Sequence, residues 1–191
     1  MIATATNAVV ATVPVGNNPG GAVAITPDGT HAYVTNSSDG TVSVIDTVSN
    51  LVVATVTVGT EPDAVAITPD KTRAYVLNFG TGLPSFGTVS VIATAANTVV
   101  ATVTVGVGPI AVAITPDGKQ AYVANVGSFR SAVSHAVSVI DTASNKVVAT
   151  VTVGSDPGAV AVGPLSSPQW DRRRAGRTTP MWRIAATALS R

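Results

Sequence analysis

Few residues in this chain could do chemistry, and the sequence supplies its own control on them, because much of it is written more than once. His135 stands in "RSAVSHAV" beside Ser134. A Ser–His pair could serve nucleophilic catalysis, but adjacent residues of an extended segment point apart, and the segment itself has no carboxylate beside the histidine and no second histidine. The other histidine, His31, aligns with Arg73 and Gln120 in the repeated copies. A position that accepts all three is a solvent-facing strand start rather than a ligand. Glu61, Asp63 and Asp156 could offer oxygens to a divalent cation, yet they fall in separate loops, where acids more often serve as solubilising charge. No H-x-x-x-H, Walker loop or G-x-G-x-x-G occurs. The chain has no cysteine, which excludes a disulfide framework and thiolate metal sites. These residues predict no catalytic set, no metal and no cofactor.

Residues that recur hold the structure rather than react. Asp28, Asp70 and Asp117 return in the same T-P-D turn, and Tyr33, Tyr75 and Tyr122 in the same "AYV" segment, where a packed ring with a satisfied hydroxyl is expected. Asp46 and Asp141 match Ala3 and Ala93, so their role is one that alanine can replace, turn support.

The elements that carry these residues form one unit written three times, at 19–59, 62–106 and 109–154, with a leading partial unit at 1–16 and a trailing strand at 157–162. The closing "VATVTVG" or "VATVPVG" ends at Gly16, Gly59, Gly106 and Gly154, which gives periods of 43, 47 and 48 residues. Each unit holds four strand-like pieces: A ("AVAITP"), B ("AYVTN"), C ("TVSVID") and D ("VVATVTV"). T-P-D-G joins A to B. Proline presets φ, aspartate bonds the turn backbone and glycine accepts the left-handed exit. D-T-x-S-N joins C to D. Four antiparallel strands at a period of about 40–50 residues are the signature of a β-propeller blade. Strand A alternates Ala22 and Ala24 with Val23 and Ile25, as a wedge covered on both faces requires. The expected class is all-β: a propeller with three complete blades and partial blades at both ends, a piece of a larger ring.

"AYVTN" (32–36), "AYVLN" (74–78) and "AYVAN" (121–125), with "TVSVIDT" and "VVATVTVG", resemble the YVTN-type β-propeller repeat of archaeal and bacterial surface-layer and secreted proteins. The resemblance covers residues 1–163. It implies a secreted or cell-surface setting; with no catalytic set among the residues, the expectation is a non-enzymatic module that binds a protein or cell-surface ligand. It also raises a lactonase-like hydrolase as an alternative, and a truncated gene product without independent function as another.

Composition agrees. Hydrophobic residues make up 46% and charged residues 11%, against about 25% in ordinary domains, and aromatics only 4%. Residues 1–163 carry five basic and nine acidic groups, which speaks against nucleic acid as a partner. No apolar run is long enough for a membrane span, and the start does not read as a signal peptide. Residues 164–191 carry six arginines and one aspartate and break the repeat, so they are expected to be a disordered or non-native tail. The partial pieces at the two ends, read as C-stub-plus-D and A, are not expected to make a fourth blade, since A and D are not neighbours in a sheet. The terminal blades then expose apolar faces and open edges, and self-assembly to close the ring is one way to cover them.

The A–B and C–D turns barely change between units, whereas the B–C and D–A loops vary and lengthen. Antiparallel strands bring these two loop sets to one face. Phe79, Phe86, Phe129, Arg130 and His135, with Glu61 and Asp63, therefore mark the candidate binding face. The three phenylalanines of the chain all sit there.

Overall fold

The computed structural model describes residues 1–80, 86–127 and 135–164, and the backbone of 182–188. Among them there is no helix. Three four-stranded antiparallel sheets follow one another along the chain. Blade 1 is β3 (Val23–Ile25), β4 (His31–Asn36), β5 (Thr41–Asp46) and β6 (Leu51–Thr57). Blade 2 is β7 (Pro62–Ile67), β8 (Arg73–Asn78), β9 (Phe86–Ala93) and β10 (Thr98–Val107). Blade 3 is β11 (Pro109–Ile114), β12 (Gln120–Asn125), β13 (Ala136–Asp141) and β14 (Lys146–Thr152). Each is a meander in sequence order, because short turns join only antiparallel neighbours. Two-stranded pieces flank them: β1 (Ile2–Ala3) with β2 (Ala8–Val9), and β15 (Pro157–Pro164) with β16 (Trp182–Ala188). The architecture is that of stacked β-propeller blades.

Residue size fixes how the blades stack. Ala22 and Ala24 pack into the cluster of Tyr33, Val42, Val44, Val56, Val65, Ala74, Val76 and Ile92, which joins blade 1 to blade 2. Tyr75, Leu77, Val89, Val91, Val103, Val105, Ala121, Val123 and Ile140 join blade 2 to blade 3. In strand A the branched residues face the preceding blade: Val65 and Ile67 pack onto blade 1, and Val112 and Ile114 onto blade 2. The core is thus a series of interfaces between sheets. β4, β5, β8, β9, β12 and β13 are buried on both faces over most of their length, while the outer β6 and β14 are largely exposed.

The turn motifs act as their chemistry predicts. The hydroxyl of Thr26, Thr68 and Thr115 accepts from the backbone N–H of His31, Arg73 and Gln120 at 3.0, 3.0 and 3.1 Å. The threonine of D-T binds across to the A–B turn of its own blade: Thr47 to the Gly29 carbonyl, Thr94 to that of Lys71 and Thr142 to that of Gly118, each at 2.6 Å. Asp46 and Asp141 accept from the backbone and hydroxyl of Ser49 and Ser144 at 2.6–2.8 Å. Ala93 stands at the same place in blade 2, and that turn closes through Ala96 N–H to the Ala93 carbonyl. Lys71 replaces the turn glycine at φ 58°, where Gly29 and Gly118 sit at 72° and 71°. Its ammonium instead reaches Asp28 at 2.7 Å, in the turn of the neighbouring blade.

Two features differ from the sequence reading. First, the expected tail begins inside a strand. β15 runs to Pro164, two residues past the predicted strand, and residues 182–188 pair with it from Pro157↔Ala188 to Pro164↔Trp182. A backbone ladder needs only unoccupied N–H and C=O groups, so it forms without the "AYV" signature. The rest of the tail lies outside the described residues. Second, the trailing piece holds a further strand, β16, beside the expected A strand, and so forms a two-stranded sheet, as the leading C-plus-D piece does in β1 and β2.

Candidate binding face

The AYVxN motif builds the floor of this face. Asn36, Asn78 and Asn125 close strand B and are 0, 1 and 1% exposed. The Asn78 amide donates to the hydroxyls of Thr88 and Ser90 at 3.0 Å, and its oxygen accepts from Gly59 N–H at 3.0 Å. Asn36 donates likewise to Thr41 and Ser43, and Asn125 to Ser138 and the Ala136 carbonyl. One side chain thus ties the end of B to the start of C and, in blade 2, to the end of the preceding D. Glycine is required at that corner because a Cβ on Gly59 would sit 2.6 Å from Asn78 Cγ.

The D–A and B–C loops meet above this floor. Ser37 N–H donates to the Asn18 carbonyl, Phe79 N–H to that of Glu61 and Val126 N–H to that of Gly108. In blade 1 the contact is polar: Asp39 takes Asn17 N–H at 2.7 Å and its side-chain amide at 2.9 Å, and these bonds hold the Asp39 carboxyl below its ordinary range. Sequence reasoning missed this pair; the variable "GNNPGG" and "NSSDGT" loops carried no repeated copy to flag it.

The predicted residues divide as follows. Phe86 opens β9 opposite Val107 and is 66% exposed. Phe79 is half-buried, with its ring against Gly108. Glu61 is exposed at φ 51°, and Asp63 is half-buried in β7 with its backbone against Gly21. His135 is half-buried; its Nδ1 accepts from Asp156 N–H at 3.2 Å and lies 3.9 Å from the Asp156 carboxylate. Phe129 and Arg130 lie outside the described residues. The face therefore brings Glu61 near Phe79 at the second blade and His135 near Asp156 at the third. Among the described residues no three His, Cys, Asp or Glu gather to hold a metal ion. No helix among them is long and apolar enough to cross a membrane.

The opposite end of each sheet carries the tyrosines, and they span the blade junctions. Tyr33 OH donates to Asn97 Oδ1 at 3.4 Å, and Tyr75 OH to Asn145 Oδ1 at 3.1 Å. Each acceptor sits in the C–D turn of the next blade, at φ 52° and 53°, a conformation asparagine tolerates. Among the described residues Tyr122 has no such acceptor, and it donates to Gln120 of its own strand at 2.8 Å. Burial raises all three hydroxyl pKa values, that of Tyr75 to about 12.

No protein-family model and no curated protein matches the chain. Among solved structures it is similar to hydrazine synthase of Kuenenia stuttgartiensis, with a TM-score of 0.72 and 30% identity over 80% of this chain. The chain spans 42% of that protein's length.

Proposed function

We propose that this chain is a non-enzymatic β-propeller module that binds a protein or cell-surface ligand through the face formed by its B–C and D–A loops, in a secreted or cell-surface setting. The observation that carries the reading is the contrast between the two ends of the blades. At one end the hydroxyls of Thr26, Thr68 and Thr115, and those of Thr47, Thr94 and Thr142, make the same backbone bonds in all three blades. At the other the same Asn floor supports loops of different length and chemistry, which is how repeat scaffolds present a binding surface. Phe86, largely exposed at the edge of the longest described strand pair, is the side chain expected to contribute most to contact. The secreted or surface setting rests on the resemblance of "AYVTN", "TVSVIDT" and "VVATVTVG" to the YVTN-type repeat. The likeness to hydrazine synthase supports the fold and lends no activity, since less than half of that protein is matched. Nothing among the described residues favours a lactonase-like reading.

The test uses the full chain, immobilised and exposed to a solubilised cell-envelope extract. The wild type is expected to retain a defined protein or glycan that Phe86→Ser releases, with the two chains melting within a degree or two of each other. Equal retention by both, or loss of folding in Phe86→Ser, overturns the assignment of this face.

A further inference from the structure

Residues 2–16, "IATATNAVVATVPVG", repeat residues 92–106, "IATAANTVVATVTVG", with changes only at Thr6, Ala8 and Pro14. In blade 2 this segment does two things for the junction with blade 1. Ile92 is fully buried against Tyr33, and Asn97 accepts the Tyr33 hydroxyl. In the β1–β2 hairpin the equivalent Ile2 is 65% exposed, and Asn7 is exposed at φ 52°, the conformation of Asn97. A hairpin of this size has little stability by itself.

Blade 3 presents the complementary need. Tyr122 occupies the place of Tyr33 and Tyr75, and its hydroxyl stays within its own strand. Beside blade 3 the next blade is already begun. β15 lies against β11 and β12, and its Val160 and Val162 pack on Tyr122, Val137 and Val139 as Val65 packs on Tyr33. Among the described residues β16 pairs only with β15, and β1 only with β2.

We propose that the β1–β2 hairpin of one copy completes the blade begun by β15 and β16 of a second copy, giving a sheet in the order β15–β16–β1–β2. Ile2 then enters the Tyr122 cluster, and Tyr122 OH donates to Asn7 Oδ1. The same step covers the other open face. Val23 and Ile25, 63 and 59% exposed, stand where Val65 and Ile67 meet the preceding blade, and β16 of the second copy lies over them. The interface is heterologous, so it either closes a ring or propagates. Two copies joined at both junctions make a ring of about eight blades, within the range that propellers occupy. The inference is independent of what the loop face binds.

The full chain lacks cysteine, so cross-linking can be placed at will. Two differently tagged copies, one with Thr6→Cys and one with Gln120→Cys, are mixed and treated with a short bismaleimide. A covalent pair carrying both tags is expected, along with a two-copy mass by light scattering for the unmodified chain. Asn7→Gly, which keeps the turn conformation and removes the acceptor, should weaken association about fivefold, Tyr122→Phe equally, and the double variant no further. A monomer at all concentrations overturns the proposal. So does cross-linking confined to single copies when both cysteines are in one chain, or an Asn7→Gly chain that associates like the wild type.

Discussion

The Tyr75 hydroxyl and the Asn145 side-chain oxygen, 70 residues apart, meet at 3.1 Å across the junction of two blades. Tyr33 and Asn97 repeat the relation at 3.4 Å. Each asparagine serves twice, taking the left-handed turn that joins C to D and accepting a hydrogen bond from the tyrosine of the previous blade. Replacing Tyr75 by phenylalanine leaves the Asn145 oxygen facing an apolar junction. It should cost about 1–2 kcal/mol in a denaturant titration, and Tyr122→Phe, whose hydroxyl within one copy meets only Gln120 of its own strand, measurably less at protein concentrations low enough to separate the copies.

The same hydroxyls set an alkaline limit. A tyrosine whose folded pKa lies above its unfolded value of about 10 contributes stability that is whole below pH 10 and is lost as pH rises toward the folded value. With Tyr75 raised to about 12, the melting temperature should fall between about pH 10 and 12. In Tyr75→Phe that fall should be shallower.

At the acid end the signs reverse. Hydrogen bonds in the T-P-D and D-T-x-S-N turns, and Lys71 beside Asp28, hold the carboxyls of Asp28, Asp46, Asp70, Asp117 and Asp141 below their ordinary range. Their contribution is complete above the unfolded carboxylate value of about 3.9 and is lost as pH falls through the lower folded values. Thermal melts should be level from about pH 7 to 5 and decline steeply below about pH 4. Asp28→Asn should decline less than the wild type.

Lys71 tests whether an ion pair offsets strain. A non-glycine residue at φ 58° costs about 1 kcal/mol, whereas its bond to Asp28 is exposed and screened. Lys71→Gly should therefore raise the melting temperature by a few degrees, and the gain should grow with added salt. By contrast Gly59→Ala drives a methyl into the buried, hydrogen-bonded Asn78 and should destabilise by about 2 kcal/mol.

The four strands of each blade, their turns and the alternation of Ala22 and Ala24 with Val23 and Ile25 were legible because each is a local pattern repeated three times. The partner of each tyrosine was not, because it lies one repeat further along, and periodicity shows that a residue recurs without showing what it touches. The Asn17–Asp39 contact escaped for the opposite reason, occurring in one copy only. β16 escaped because its pairing is made by the backbone, which leaves no side-chain signature. On the loop face the spacing placed Phe79, Phe86 and His135 at the same end of the blades, but whether each ring turns outward is decided by neighbours such as Gly108 that the loops' lengths do not reveal.

The central claim is that successive blades are locked by a tyrosine of one and an asparagine of the next. A double-mutant cycle with Tyr75→Phe and Asn145→Gly measures it most directly, since glycine keeps the turn and removes only the acceptor. The account predicts a coupling of about 1 kcal/mol between these two and none between Tyr122→Phe and Asn145→Gly. Strict additivity of Tyr75→Phe and Asn145→Gly would contradict it.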